Sequence, residues 1–223
     1  MRSNLFAQAL TKFFAGVVRV GLLIFWPAGT FSYVKGWLFM GLLFLPMFLA
    51  GLVMLAKNPG LLQSRLQAKE KERTQQTVVK LSGLMFIAGF ILAGLNFRYG
   101  WLTLPDWVSW VGSVLFLGAY LVYAEVLWEN TYLSRTIEVQ QGQTVISSGL
   151  YGVVRHPMYA ATLVLFLSMP LILGSVLSFA VFLVYPFLIA KRIENEEAVL
   201  CKELDGYESY RKKVKYRMIP GIW

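Results

Sequence analysis

The sequence contains 223 residues, of which 57% are hydrophobic and 15% are charged, and its mean hydropathy is +0.58. Soluble domains contain roughly 45–50% apolar and about 25% charged residues. This composition therefore excludes a disordered chain, a fibrous repeat and a disulfide scaffold, and it argues against a soluble enzyme. The net charge of +9 fits a membrane protein with basic cytoplasmic loops better than a nucleic-acid-binding protein. With one cysteine, Cys201, and one histidine, His156, the chain is expected to form neither an intramolecular disulfide nor a metal site.

The apolar segments predict an all-α integral membrane protein with about six transmembrane helices. The first four segments are residues 13–31, 36–56, 81–96 and 107–128, each near the length of about 20 residues that crosses a bilayer. A longer apolar stretch, residues 157–190, is broken at Gly174, so we predict two helices joined by a tight turn, a transmembrane hairpin. Residues 1–128 would supply the N-terminal helices. Residues 129–223 would supply a cofactor-binding loop, the hairpin and a helical tail, in one structural unit with the rest.

Lysine and arginine are concentrated in the link between the second and third helices and in the tail after residue 190. They are Lys57, Arg65, Lys69, Lys71, Arg73 and Lys80 in the link, and Lys191, Arg192, Lys202, Arg211, Lys212, Lys213, Lys215 and Arg217 in the tail. The positive-inside rule places both segments and both termini in the cytoplasm. The outer interface then receives Trp26, Trp37, Trp101, Trp107 and Trp110.

Two polar segments exceed what a simple bundle needs, and both are cytoplasmic in this topology. Residues 129–154 are too many for a minimal helix–helix link, and long ordered loops of small domains are often functional. The tail, residues 191–223, opens as a charged helix whose Leu200, Leu204, Tyr207 and Tyr210 have the spacing of one apolar face. We expect the loop and the tail to meet and cover the mouth of the hairpin.

Four polar side chains are predicted to converge at that mouth. His156 precedes Pro157, a residue that suits the first turn of a helix. Arg192 and Glu196 are four residues apart, so they share a helical face at the end of the second arm. The two arms would bring His156 and Tyr159 near this pair, forming a pocket of ionisable groups at the membrane edge. The plainer alternatives are a headgroup anchor at the first arm and a solvated helix end at the second.

The order Arg155-His156-Pro157-Met158-Tyr159, an apolar hairpin, and then Glu196-Glu197 resembles the RHPxY–hydrophobic–EE signature of the isoprenylcysteine carboxyl methyltransferase family. Phospholipid N-methyltransferases share parts of this signature. The resemblance covers roughly residues 138–223 and includes the tail run around Tyr207 and Tyr210 and the later Ile219-Pro220. It implies an integral-membrane methyltransferase that uses S-adenosylmethionine.

The resemblance also implies roles for individual residues. It assigns the cofactor pocket to Gln140, Gln143, Thr144, Val145, Ile146, Tyr151, His156, Pro157, Met158, Tyr159 and Glu196, and the catalytic role to Arg192 and Glu196, with Arg192 on the substrate side. The chemistry is compatible, because a sulfonium cation suits aromatic faces such as that of Tyr159. Arg192 would hold a carboxylate acceptor by a bidentate pair, whereas an amine acceptor would lose its proton to Glu196.

We therefore predict a methyltransferase acting on a lipophilic acceptor with a prenylcysteine-like carboxylate, its active site facing the cytoplasm. A phospholipid amine N-methyltransferase is the first alternative, and a membrane reductase of the sterol-reductase type, using a nicotinamide cofactor, is the second. A channel or transporter is disfavoured because neither inverted repeats nor midplane charges are visible. The expected partners are the bilayer and the lipophilic acceptor, without nucleic acid, metal or an obligate protein partner.

Overall fold

The computed structural model describes residues 2–66, 73–130, 132–133 and 139–223. The regular elements of these ranges are all helices. They are α1 (Arg2–Ala28), α2 (Val34–Lys57), α3 (Pro59–Leu66), α4 (Arg73–Tyr99), α5 (Asp106–Glu129), a 3₁₀ turn (Gly149–Gly152), α6 (Pro157–Ile172), α7 (Val176–Phe182), α8 (Tyr185–Glu203) and α9 (Tyr207–Lys213). The predicted all-α class is confirmed.

Five helical segments of the described chain are long and apolar enough to cross a membrane. They are Asn4–Ala28, Val34–Lys57, Gln75–Tyr99, Asp106–Glu129 and Val176–Glu203, the last of which contains α7 and α8. Helix α6 is apolar but has only 16 residues, or about 24 Å at 1.5 Å per residue, which is less than the roughly 30 Å of a hydrocarbon core. The count of six crossings therefore stays a prediction.

The predicted hairpin is present, but its second arm consists of two helices. Gly174 turns the chain after α6 with φ of 69°, a conformation that glycine adopts without a steric penalty. Ser175 then caps α7 by accepting a hydrogen bond from the Ser178 N–H at 3.2 Å. The arm breaks between α7 and α8, where Pro186 lies in the first turn of α8 and has no N–H for a helical bond to the preceding turn. The charged helix expected to open the tail at residue 191 is the continuation of α8.

Glycines allow the helices of the bundle to approach closely. A Cβ atom at Gly112 of α5 would lie 2.9 Å from the Leu171 Cβ of α6. Gly94 of α4 is similarly close to the Ile24 carbonyl of α1, and Gly89 to the Phe182 ring of α7. Small residues at such contacts are typical of helix packing in membranes, where helices associate through close van der Waals contact.

The two ends of the bundle differ in character. At the end that holds the Gly174 turn, Leu104 N–H donates to the Gly174 carbonyl at 2.9 Å, and Val176 N–H donates to the Leu102 carbonyl at 3.1 Å. The five tryptophans expected at the outer interface are 51–79% exposed and lie near this end. The opposite end contains α3, α9 and the residues 139–156, and we call it the cavity end. The predicted orientation, with the cavity end in the cytoplasm, stays a prediction.

Candidate active site

The start of α6 and the middle of α8 lie side by side at the cavity end. Tyr159 is 5% exposed, and its hydroxyl accepts a hydrogen bond from Arg192 Nε at 2.9 Å and donates one to Glu196 Oε2. The Arg192 guanidinium carbon also lies 5.9 Å from the centre of the Tyr159 ring. The two arms therefore bring together Tyr159, Arg192 and Glu196 as the sequence predicts, with one phenol between the cation and the carboxylate.

A second polar cluster forms around Glu197. Its side chain is 4% exposed and accepts from Arg155 Nε at 2.6 Å and from Arg217 Nε at 3.0 Å. His156 Nε2 lies 3.2 Å from the same carboxylate. Adjacent residues of a helix project about 100° apart, so Glu196 and Glu197 serve different clusters. The His156 side chain thus contacts Glu197, whereas Tyr159 contacts Arg192 and Glu196.

The tail lies against the loop that carries the Arg155-His156 pair. The N–H groups of Arg155 and His156 donate to the carbonyls of Tyr216 and Arg217 at 2.9 and 2.8 Å. Arg155 Nη1 donates further to the carbonyls of Val214 and Lys215, at 2.7 and 2.8 Å. The roles of Arg155, Glu197 and Arg217 were missed at the sequence level. The only signal available was that Arg155 and Glu197 belong to the signature.

A cavity lies between the loop, the two clusters and the tail. Nine residues predicted to bind the cofactor line it, namely Gln143, Thr144, Val145, Ile146, Tyr151, His156, Met158, Tyr159 and Glu196, together with Arg192. It encloses about 100 Å³, whereas small-molecule sites measure roughly 300–1,000 Å³. The enclosed volume is therefore smaller than that of a typical small-molecule site.

Two predicted residues do not line this cavity. Gln140 donates through Nε2 to the Tyr132 carbonyl at 2.6 Å, and its N–H donates to Gln143 Oε1 at 2.9 Å. Pro157 is the first residue of α6 and is buried. In this arrangement Gln140 stabilises the loop through these hydrogen bonds, and Pro157 is the first residue of the helix. The assignment of both residues to cofactor binding stays a prediction. Residue 138, where the family resemblance begins, lies outside the described residues, as do Lys69 and Lys71 of the basic link.

The far side of the cavity is apolar and aromatic. Leu204, Tyr207 and Tyr210 are buried together with Val214, as the spacing of the tail predicts. The Tyr210 hydroxyl donates to the Tyr151 carbonyl at 2.7 Å, and burial raises the pKa of Tyr210 to about 12. Burial also raises the pKa of the Tyr151 hydroxyl, which accepts from Asn130 Nδ2 at 3.1 Å. These phenols are therefore protonated at neutral pH.

The sequence profile of the isoprenylcysteine carboxyl methyltransferase (ICMT) family matches residues 110–202. This range contains the hairpin, the signature and most of the residues that line the cavity. Residues 110–202 are therefore similar to the ICMT family, over somewhat less than half of the chain. The shared region includes both Tyr159 and Glu196, so the family match and the cavity coincide along the chain.

Curated relatives include methyltransferases and reductases. Protein-S-isoprenylcysteine O-methyltransferase of Schizosaccharomyces pombe is 33% identical over 104 residues, covering 45% of this chain and 44% of that protein. Delta(14)-sterol reductases of Methylotuvimicrobium alcaliphilum and Mus musculus are 30% and 33% identical over 93 and 91 residues, each covering 40% of this chain and 22% of the relative. The chain thus matches less than half the length of these relatives.

The fold extends the comparison beyond the ICMT family region. The solved structure of a eukaryotic intramembrane Ras methyltransferase, an isoprenylcysteine carboxyl methyltransferase, superposes with a TM-score of 0.59 at 18% identity. The superposition covers 96% of this chain and 77% of that chain. The N-terminal helices therefore belong to the shared architecture, and the chain is a multi-pass integral membrane protein.

Proposed function

We propose that this protein transfers a methyl group from S-adenosylmethionine to the carboxylate of a lipophilic, prenylcysteine-like acceptor. The observation that carries the proposal is the joint contact of Arg192 and Glu196 with the Tyr159 hydroxyl inside the cavity. This arrangement supports the proposal because a cation, which suits an anionic acceptor, lies close to a carboxylate, which suits a cationic methyl donor.

The described residues fit the cofactor. The sulfonium is a cation, and Glu196 and the ring faces of Tyr159 and Tyr151 line the cavity, so charge attraction and cation–π contact are both available. The apolar side of the cavity suits an uncharged heterocycle. When bound, S-adenosylmethionine would supply an electrophilic methyl group.

The protein groups have to bind and orient the acceptor, because a carboxylate can accept a methyl group without first losing a proton. Arg192 presents planar N–H donors, which match a carboxylate in a charge-assisted pair. Tyr159 donates to Glu196 and accepts from Arg192, and it therefore fixes the separation of the two charged groups. Positioning of this kind is the main demand of an in-line displacement. The surrounding apolar helices support entry of the acceptor from the bilayer, at the cytoplasmic face.

A phospholipid amine is the alternative acceptor. An ammonium group has to lose a proton before it attacks a methyl group, and Glu196 is the cavity carboxylate placed to take that proton. An amine acceptor would also approach Arg192 against its charge. The Arg192 guanidinium therefore favours the carboxylate acceptor.

A reductase function is favoured by the two sterol reductases among the relatives. A nicotinamide dinucleotide needs groups that bind its pyrophosphate. Among the described residues that line the cavity, the cations are Arg155 and Arg192. Arg155 is already neutralised by the buried Glu197, so a pyrophosphate would bring two negative charges to Arg192. This arrangement favours the methyltransferase.

One experiment separates these functions. The protein, purified in detergent, is titrated calorimetrically with S-adenosylhomocysteine and with NADPH. Methyl transfer from radiolabelled S-adenosylmethionine is then assayed on N-acetyl-farnesylcysteine and on phosphatidylethanolamine vesicles. Binding of S-adenosylhomocysteine and labelling of the prenylcysteine support the proposal. Binding of NADPH alone, or labelling of the phospholipid alone, contradicts it.

A further inference from the structure

Tyr207 differs from the other tyrosines of the cavity wall. It is 4% exposed, and its hydroxyl oxygen is buried without a hydrogen-bond partner among the described residues. By contrast, the hydroxyls of Tyr159, Tyr151 and Tyr210 each have a protein partner. Buried polar atoms are normally hydrogen-bonded, so an unpartnered hydroxyl in a cavity wall points to a group that bonds to a ligand.

The Tyr207 hydroxyl is a donor at neutral pH. Burial raises the pKa of Tyr207, and the negative charges of Glu197 and Glu196 add to this rise. A protonated phenol offers one O–H and seeks an acceptor. The ligand atom that bonds to the Tyr207 hydroxyl should therefore be a hydrogen-bond acceptor, such as a ring nitrogen or a hydroxyl oxygen.

The cavity has a charged end and an apolar end, which indicate how a ligand lies in it. Arg192, Glu196 and Leu200 follow one another at intervals of four along α8, Leu204 is the residue that ends this helix, and all four line the cavity. The rise of 1.5 Å per residue puts Leu200 about 12 Å from Arg192. Tyr207 packs with Leu204 in the apolar cluster, and therefore lies toward the end that suits a flat heterocycle.

We propose that the Tyr207 hydroxyl donates a hydrogen bond to an acceptor atom of the purine base of the bound adenosyl ligand. This inference rests on the proposed function and adds a ligand-binding residue that lies outside the ICMT family match. The amino-acid part of the same ligand would lie toward Glu196 and Tyr159. Tyr207 would thus bind the base, while Glu196 and Arg192 at the charged end would bind the sulfonium and the acceptor.

The test compares Tyr207→Phe and Tyr210→Phe with the wild-type protein in detergent. Removing an unpartnered buried hydroxyl should leave the thermal unfolding midpoint of the ligand-free protein unchanged or higher. The same change at Tyr210 breaks its bond to the Tyr151 carbonyl and should lower the midpoint. Calorimetric titration should show that Tyr207→Phe raises the Kd for S-adenosylhomocysteine about tenfold.

A second ligand locates the contact. 5′-Methylthioadenosine keeps the base and lacks the amino-acid part, so Tyr207→Phe should weaken both ligands by the same factor. Weakening of S-adenosylhomocysteine alone overturns the assignment to the base. A fall in the unfolding midpoint of Tyr207→Phe that matches that of Tyr210→Phe overturns it also, because the hydroxyl would then have an internal partner.

If the wild type binds and Tyr207→Phe binds equally well, only this inference fails. If the wild type binds neither adenosyl ligand, the proposed function fails with it.

Discussion

Arg155 and Glu197 are 42 positions apart in the sequence and meet at 2.6 Å between Nε and Oε1, with both side chains buried. This contact joins the loop before α6 to the middle of α8. Since Arg217 and His156 reach the same carboxylate, Glu197 is the centre on which the loop, the hairpin and the tail converge.

Replacing Glu197 with glutamine should destabilise the fold. The change leaves the buried Arg155 without its counter-charge, and breaking a buried ion pair from one side lowers the free energy of unfolding by about 3 kcal/mol. Denaturant titration in detergent, followed by tryptophan fluorescence, measures the difference. Glu194→Gln is the matched control, because Glu194 is 51% exposed and lies 3.5 Å from Lys191; it should change stability by less than about 1 kcal/mol. Equal effects at the two positions would refute the structural role of Glu197.

Arg192→Lys and Glu196→Gln should affect different ligands. Lysine keeps the charge of Arg192 and loses its planar donors, so methyl transfer should fall more than tenfold while the Kd for S-adenosylhomocysteine changes less than threefold. Glu196→Gln removes the carboxylate and should reduce both methyl transfer and the affinity for S-adenosylhomocysteine. Radiolabel transfer and calorimetric titration on each variant make the comparison. A loss of S-adenosylhomocysteine affinity in Arg192→Lys as severe as in Glu196→Gln would show that Arg192 belongs to the cofactor side.

Gln75 should act as a positioning residue for Arg192. Its side chain is fully buried in α4, accepts from Arg192 Nη1 at 3.0 Å and donates to the Arg192 carbonyl at 3.4 Å. Gln75→Ala should raise the KM for the acceptor about fivefold by loosening the guanidinium, with the Kd for S-adenosylhomocysteine within twofold of wild type. Gln63→Ala, on an exposed position of α3, is the control and should change neither quantity. An unchanged KM in a folded Gln75→Ala protein would exclude the positioning role.

Cysteine labelling tests the predicted orientation in the membrane. Cys201 is the sole cysteine of the sequence, so Cys201→Ser provides a background for single cysteines at Lys213 and at Thr103, which are both exposed and lie at opposite ends of the bundle. A membrane-impermeant maleimide applied to intact cells should label Thr103→Cys and should reach Lys213→Cys only after permeabilisation. Labelling of Lys213→Cys in intact cells would reverse the topology.

The main helices and one side of the cavity could be predicted well from the sequence. Apolar runs of suitable length predicted the main helices, and the four-residue spacing of Arg192 and Glu196 predicted their shared face. The break between α7 and α8 was missed because residues 176–190 are apolar throughout apart from Ser178, and hydropathy does not distinguish one helix from two.

The Glu197 cluster could not be predicted because it depends on the path of the tail. Arg217 is 20 residues beyond Glu197, and its approach requires the chain to reverse after α9. An arginine in the tail also fits the positive-inside pattern. The presence of Arg217 could therefore be explained by membrane topology alone, without any role in the site. Gln75 was missed for a similar reason, since it begins a membrane helix far from the signature.

The backbone hydrogen bonds from Arg155 and His156 to Tyr216 and Arg217 also bear on how a ligand would enter and leave the cavity. Moving the tail outward would break both bonds and separate Arg217 from Glu197, and such charge-assisted contacts are the strong ones. Moving residues 139–148 outward leaves the Glu197 cluster intact. We therefore expect a ligand to exchange past that loop, which would then set its residence time, while the tail stays in place.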